Sequence, residues 1–247
     1  MPDAPPVINA VLPSNRFMPD SLYCALMAES VAIIGGTGAL GKGLAARLSA
    51  AGKTVVIGSR DAGRASEAAA AIGGSVTGSA NPEAAASSEM VFLCVPFSSQ
   101  AGTLKEIKES FAEGTILVDA TVPLATNVGG APTRTLGVPQ GSAGQQAEAL
   151  VPNGVTVVSG LHTVSADLLG DLEHDLDEDT LLCSNDRDAI AKVAEVLAVI
   201  PGLRPVDAGR LELARVTEQM TALMISINIR HKARTGVRVT GLGSDDS

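Results

Sequence analysis

The stretch Val31-Ala32-Ile33-Ile34-Gly35-Gly36-Thr37-Gly38-Ala39-Leu40-Gly41-Lys42-Gly43-Leu44 constrains this chain more than any other. An apolar, largely β-branched run enters a glycine-rich turn and leaves as a helix, the arrangement that seats a dinucleotide pyrophosphate on a helix N-terminus. Gly36 is expected to permit the tight turn, Gly38 to let backbone amides reach phosphate oxygens, and Gly41 to let the helix pack closely on its strand. A second strand, Lys53 to Gly58, ends in Ser59-Arg60, where an NAD-specific protein usually carries Asp or Glu for the ribose hydroxyls. Arg60 and Arg64 point instead to the extra phosphate of NADP. The competing reading assigns both arginines to a surface helix opened by Asp61, a common N-cap residue. That reading leaves the missing acidic residue unexplained.

From Val31 onward strand and helix patterns alternate, which favours a parallel sheet covered on both faces. The expected fold is α/β: a Rossmann-like, doubly wound, mostly parallel sheet with a small, mainly helical C-terminal domain. Strands are expected at 31–34, 53–59, 75–77, 90–95, 115–119, 155–159 and 180–183, and helices at 39–51, 62–72, about 97–111, 143–150 and about 187–199. Gly78 to Asn81 reads as a break before Pro82, which can open a short helix. The stretch Val122 to Val138 is rich in Gly, Pro and Thr, and is either an active-site border or a loose insertion. Three units are expected: an arm at 1–29, a nucleotide domain at 30–165 and a C-terminal domain at 166–247. The Pro-rich arm lacks the features of a secretory signal, and a chain begun at Met27 would keep all that the nucleotide fold requires.

Composition removes several classes of function. A formal net charge of -9 argues against nucleic acid, which needs clustered positive surface. No apolar run approaches the roughly 20 residues that span a bilayer. Cys24, Cys94 and Cys183 are odd in number and lack metal-ligand spacing, so neither a disulfide framework nor a metal site is expected, and a reducing cytoplasm fits best. Cys94, inside an apolar strand, reads as a small buried hydrophobe. The chain has one tyrosine, Tyr23, ahead of the first strand. A short-chain dehydrogenase needs its Tyr-Lys pair downstream of the nucleotide fold, so that chemistry is excluded.

Ligands of open α/β sheets lie beyond the carboxyl ends of the strands. Among the residues placed there only His162, after the sixth strand, titrates near neutrality, so it is a candidate to exchange a proton or to hydrogen-bond a ring carbonyl; a histidine satisfied by backbone is the alternative. The acidic run Asp171 to Asp179 reads as solvated surface rather than a metal site. Arg230, His231, Lys232, Arg234 and Arg238 form a basic cluster, either an anion site or charge complementing a helix C-terminus. The segment Val216 to Ile229 is apolar around much of a helix, which suggests burial in the small domain or between two subunits, and a homodimer is expected.

The motifs together resemble a family. Gly35 to Leu44, Gly58-Ser59-Arg60, Val95-Pro96, Leu161-His162-Thr163 and the late block Gly202-Leu203-Arg204-Pro205-Val206-Asp207-Ala208-Gly209 are similar to NADPH-dependent reductases of the deazaflavin coenzyme F420, over about Val31 to Leu242. The resemblance implies hydride transfer between NADP(H) and F420 stacked face to face. It implies that Thr37, Ser59, Arg60 and Arg64 hold the 2′-phosphate while Gly38, Ala39 and Leu40 supply turn amides. Val95, Pro96 and Ser99 would border the nicotinamide, and His162, Val164 and Ala166 would line the junction of the two rings. This chain departs from the family pattern at Phe97, where Trp often follows the Pro, at Ser165 in place of Pro, and in the added arm. An NADP sensor without turnover, or a reductase of a flavin, quinone or ferric chelate, are the alternative functions.

Overall fold

The computed structural model describes residues 30–242, so the expected arm at 1–29 and the last five residues lie outside the described part. Eight strands form one sheet in the order β3-β2-β1-β4-β5-β6-β7-β8. They are β1 Ser30–Ile34, β2 Thr54–Ser59, β3 Val76–Ala80, β4 Met90–Leu93, β5 Ile116–Asp119, β6 Thr156–Ser159, β7 Glu178–Ser184 and β8 Leu203–Gly209. The helices are α1 Ala39–Ala50, α2 Ala62–Ile72, α3 Asn81–Ala86, α4 Phe97–Ile107, α5 Ala143–Leu150, α6 Ala166–Gly170, α7 Arg187–Leu197 and α8 Ala214–His231. The first six strands are mutually parallel; β7 runs antiparallel to β6, and β8 is parallel to β7.

Alternation along β1 shows how the sheet is covered. Val31 and Ile33 share a core with Leu44 and Leu48 of α1, Ala65 of α2 and Val193 of α7. Ala32 and Ile34 face the opposite core with Ala84 of α3, Leu104 and Ile107 of α4 and Ala147 of α5. A strand buried on both faces has no polar side, which is why β1 reads as a continuous apolar run. No helix among the described residues is long and apolar enough to cross a membrane.

Several expected boundaries move. The third strand begins at Val76 and runs through Gly78 to Ala80, where the sequence suggested a break. Gly78 is needed there because a Cβ would lie 2.3 Å from the carbonyl oxygen of Ala65, so α2 rests directly on the strand. The block Leu203 to Gly209, read only as a motif, is the edge strand β8. Beyond Ala166 the chain therefore adds two strands to the same sheet before it enters the long helix α8. The loop after β5 closes on itself: Leu124 and Thr135 form an isolated bridge, and Leu136 N–H donates to Pro123 O.

The acidic segment divides. Asp171, Glu173, Asp175 and Asp177 remain at the surface as expected, but Glu178 and Asp179 enter β7 and are buried. Burial would push the Asp179 carboxyl up; the Arg204 guanidinium 2.8 Å away, the Val239 N–H and Arg238 outweigh it and hold the group below its ordinary range. Arg238 is thereby taken out of the basic cluster, as is Arg234, which pairs with Asp167 at 3.3 Å.

Arg47 joins the two ends of the fold. It is 4% exposed and its charge is spread over carbonyls: Nε donates to Leu169 O at 2.8 Å, and the two N–H groups of Nη2 are shared among Leu168 O at 2.9 Å, Asp171 O at 2.6 Å and His174 O at 2.8 Å. These carbonyls belong to the last residues of α6 and the turn after it, so a cation on α1 caps α6 and holds the segment that follows. Arg47→Ala strands buried acceptors and should lower the unfolding free energy by about 2–4 kcal/mol in denaturant titration. A loss below about 0.5 kcal/mol would assign that cap to solvent instead.

Candidate functional site

The strand order reverses between β1 and β4, the place beyond whose carboxyl ends open α/β sheets form their ligand crevice. Gly35 takes the left-handed turn conformation with φ +82°, and a Cβ on it would lie 2.8 Å from Val95 Cγ1. The turn role expected of Gly36 thus falls to Gly35. Gly36 is instead pressed on β2, where a Cβ would lie 2.4 Å from Ile57 Cβ. At Gly41 a Cβ would lie 2.7 Å from Gly35 O, which is the close helix packing the spacing predicts. Gly38 differs, since an added Cβ would meet protein only at Gly35 O, 3.3 Å away, and at 4.0 Å. That contact is tight, but it is a single backbone oxygen, and Gly38 itself is exposed as the residue that opens α1. The helix has no side-chain cap on its first amides. An uncapped helix start of this kind suits a phosphate.

Thr37 is half-buried in the turn, with Ala39 and Leu40 opening α1. Ser59 ends β2 beside the turn, since Gly35 and Gly36 N–H both donate to Gly58 O. Asp61 does cap α2, accepting from Arg64 N–H at 3.2 Å. The cap uses only the Arg64 backbone; both guanidiniums are exposed, and neither enters an ion pair among the described residues. Capping and phosphate recognition are therefore compatible. Across the crevice Val95 and Pro96 form the turn after β4, and Ser99 N–H donates to Pro96 O in the first turn of α4. Cys94 behind them is inert: burial, then the Asp119 charge, push its thiol up to about 12.

His162 stands at the end of β6, after Leu161, whose φ of +65° is unusual for a branched residue. Its ring is held on both nitrogens, with Nε2 3.2 Å from Ser159 Oγ and Nδ1 3.3 Å from Thr217 Oγ1, while Thr221 Oγ1 donates to His162 O at 2.8 Å. Burial pushes its pKa down to about 4, against a smaller upward pull from the Asp119 backbone. The expectation of a group titrating near neutrality is corrected: His162 is a neutral ring bonded within the protein. A cavity of about 180 Å³ lies beside it, lined by Val164, Thr221, Met224 and Asn228 among others. Ala166 does not join that group. As the first residue of α6 it borders an open groove of about 500 Å³ along α1, together with Ala39 and Lys42.

Between the crevice and this cavity lies a buried polar network that the sequence reading missed. Gln100, fully buried on α4, shares the two N–H groups of Nε2 among three acceptors, Asp119 Oδ2 at 2.8 Å, Thr121 Oγ1 at 2.8 Å and Ala143 O at 2.9 Å. Glu218 of α8 accepts from the N–H groups of Ala143 and Gly144. Burial first, and for Asp119 the Glu218 charge next, push both carboxyls up to about 7. The one local signal was Asp119, a charged residue closing the apolar run Ile116-Leu117-Val118. Gln100 and Glu218 lie in helices whose sequence marks nothing special. No cluster of candidate metal ligands occurs among the described residues.

Residues 30–123 match the family model described as NADP oxidoreductase, coenzyme F420-dependent. An F420-dependent NADP reductase from Methanothermobacter thermautotrophicus is 40% identical over 226 residues, covering 88% of this chain and 97% of the relative. One from Methanocaldococcus jannaschii is 38% identical over 222 residues, covering 86% and 98%. A crystal structure from Arthrobacter sp. FB24, assigned as an F420-dependent NADP-reductase, superposes with a TM-score of 0.75 at 26% identity, covering 87% of this chain and all of that one. With identity spread over nearly the full length of these relatives, the chain belongs to the F420-dependent NADP reductase family.

Proposed function

We propose that this protein is an oxidoreductase that moves a hydride between NADP(H) and the deazaflavin coenzyme F420. The observation that carries the reading is the uncapped start of α1 beside two unpaired arginines, with the His162 cavity further along the same carboxyl edge. Gly38, Ala39 and Leu40 would present amides to the pyrophosphate, with Gly36 and Gly41 setting the turn against β2 and α1. Thr37, Ser59, Arg60 and Arg64 would hold the 2′-phosphate, for which an exposed guanidinium is suited by charge and geometry.

Both cofactors supply their own reactive carbons, so the protein has to align two rings and keep water away. Val95, Pro96 and Ser99 would border the nicotinamide. His162 and Val164, with Ala166 at the rim, would shape the deazaflavin side, His162 as a fixed neutral surface rather than a proton carrier. In this reading 30–165 binds the nucleotide and 166–247 closes the second cleft. The free thiols of Cys94 and Cys183 suit a reducing cytoplasm.

We also infer a homodimer built on α8. Leu213, Val216, Met220, Leu223 and Ile227 follow a three-four spacing, and Val216 and Leu223 are more than half exposed. Such a stripe on a helix is the kind of surface that a second copy covers.

Three outcomes are expected. Arg60→Ala with Arg64→Ala should weaken NADPH by at least about ten-fold while NADH changes by less than about two-fold, read by nucleotide fluorescence; equal losses for both nucleotides would remove the arginines from phosphate recognition. His162→Ala should slow deazaflavin reduction, followed by absorbance, more than it weakens NADPH. Because His162 stays neutral down to about pH 4, the wild-type profile should carry no histidine limb near 6.5, and such a limb that vanished in the variant would overturn its assignment as a neutral surface. Leu223→Glu should convert the dimer to a monomer in sedimentation, whereas an unchanged dimer would place the interface elsewhere. For the reaction itself, mixing NADPH with oxidised F420 and finding bound nucleotide but no transfer in either direction would reject the proposal.

A further inference from the structure

Glu218 is 1% exposed and forms no ion pair among the described residues; its carboxylate is docked on a helix start. Oε2 accepts from Ala143 N–H at 2.9 Å and Oε1 from Gly144 N–H at 3.0 Å, while Ser142 Oγ takes the next amide, Gln145, at 3.0 Å. The first three amides of α5 are thus satisfied, two of them by a residue 74 and 75 positions away. A carboxylate suits this place because it offers two acceptors to two adjacent donors and complements the helix dipole.

This contact lies between the two supports of His162. On one side Gly144 is pressed on Ser159, where a Cβ would lie 2.9 Å from both Ser159 Cβ and Oγ, and Ser159 Oγ meets His162 Nε2. On the other, Thr217 precedes Glu218 on α8 and meets His162 Nδ1, with Thr221 one turn on holding His162 O. Thr217 Oγ1 also bonds Ala214 O at 3.1 Å. The ring thus sits between a hydroxyl from β6 and one from α8, with the Asp119 backbone carbonyl as a further acceptor for it, and partners in fixed places favour one tautomer over the other. The places of the two hydroxyls depend on how α8 and α5 are seated, and the Glu218 carboxylate ties these two helices together.

We propose that Glu218 is a positioning residue: docked on the first two amides of α5, it sets α8 and β6 so that Thr217 and Ser159 hold His162 in one tautomer and one orientation beside the cavity. The kinetic part rests on the hydride-transfer reading; the tautomer part does not.

The test uses two variants. Glu218→Gln keeps the size but turns an NH2 group toward one amide. Ala143→Pro removes one donor from the opposite side without touching α8, at the first helical position where proline is tolerated. Both are made in the His174→Gln/His231→Gln background, in which His162 is the sole histidine. Long-range 1H–15N spectra of the nucleotide-free protein should show one neutral tautomer in the parent and averaged ring shifts in either folded variant. Deazaflavin reduction should fall about ten-fold in kcat, with NADPH affinity within about two-fold. Arg47→Ala, destabilised at a distance, should keep the single tautomer. The proposal is overturned if a folded variant retains one tautomer, if the tautomer is released with kcat unchanged, or if Arg47→Ala releases it equally. Should the parent transfer no hydride to F420, the functional reading fails, and the spectra still decide whether Glu218 positions His162.

Discussion

The absence of side chains at Gly36 and Gly41 sets the geometry from which the rest follows. With Gly36 lying on Ile57 and Gly41 against Gly35 O, α1 approaches β1 and β2 more closely than any residue with a Cβ allows. The start of α1 is thereby placed at the carboxyl edge of the sheet, with its first amides free of any side-chain cap in a protein of formal net charge -9. The other end of α1 is equally committed, since Arg47 grips the carbonyls that end α6. One helix therefore links the glycine turn after β1 to the segment that follows His162.

At the same edge the fold buries polar groups that a core would normally exclude. Asp119, Glu218, Gln100 and His162 are all inaccessible or nearly so, and among the described residues no cation pairs with either carboxyl. Replacing such groups by apolar ones commonly favours stability. Their hydrogen bonds are arranged to orient: Gln100 ties β5 to α5, Glu218 ties α5 to α8, and Thr217 and Thr221 tie α8 to His162. Orientation of this kind is what a reaction between two cofactor rings requires from the protein.

Much of the fold was legible because its determinants are local. The apolar run and glycines of β1 and α1, Asp61 opening α2 and the strand at Thr156–Ser159 announce themselves within a few residues. Where the reading slipped, the controlling contact was distant. Gly78 looked like a break because its partner is Ala65 on a packed helix, and Leu203 to Gly209 looked like a motif because β8 needs β7 beside it to be a strand. Asp179 looked solvated because its arginine partners come from 25 and 59 residues away.

The sequence by itself determined a mostly parallel, Rossmann-like α/β fold, the glycine turn between β1 and α1 and the pair of exposed arginines, since periodicity, glycine spacing and charge are properties of neighbouring residues. Only the tertiary structure decided what His162 is. A histidine at a strand end carries no local mark of its protonation; burial and two hydroxyls, one of them brought from α8, make it a neutral ring. Chemistry carried by nearby residues can be read along the chain, whereas chemistry produced by desolvation and by partners from remote segments exists only once those segments are packed together.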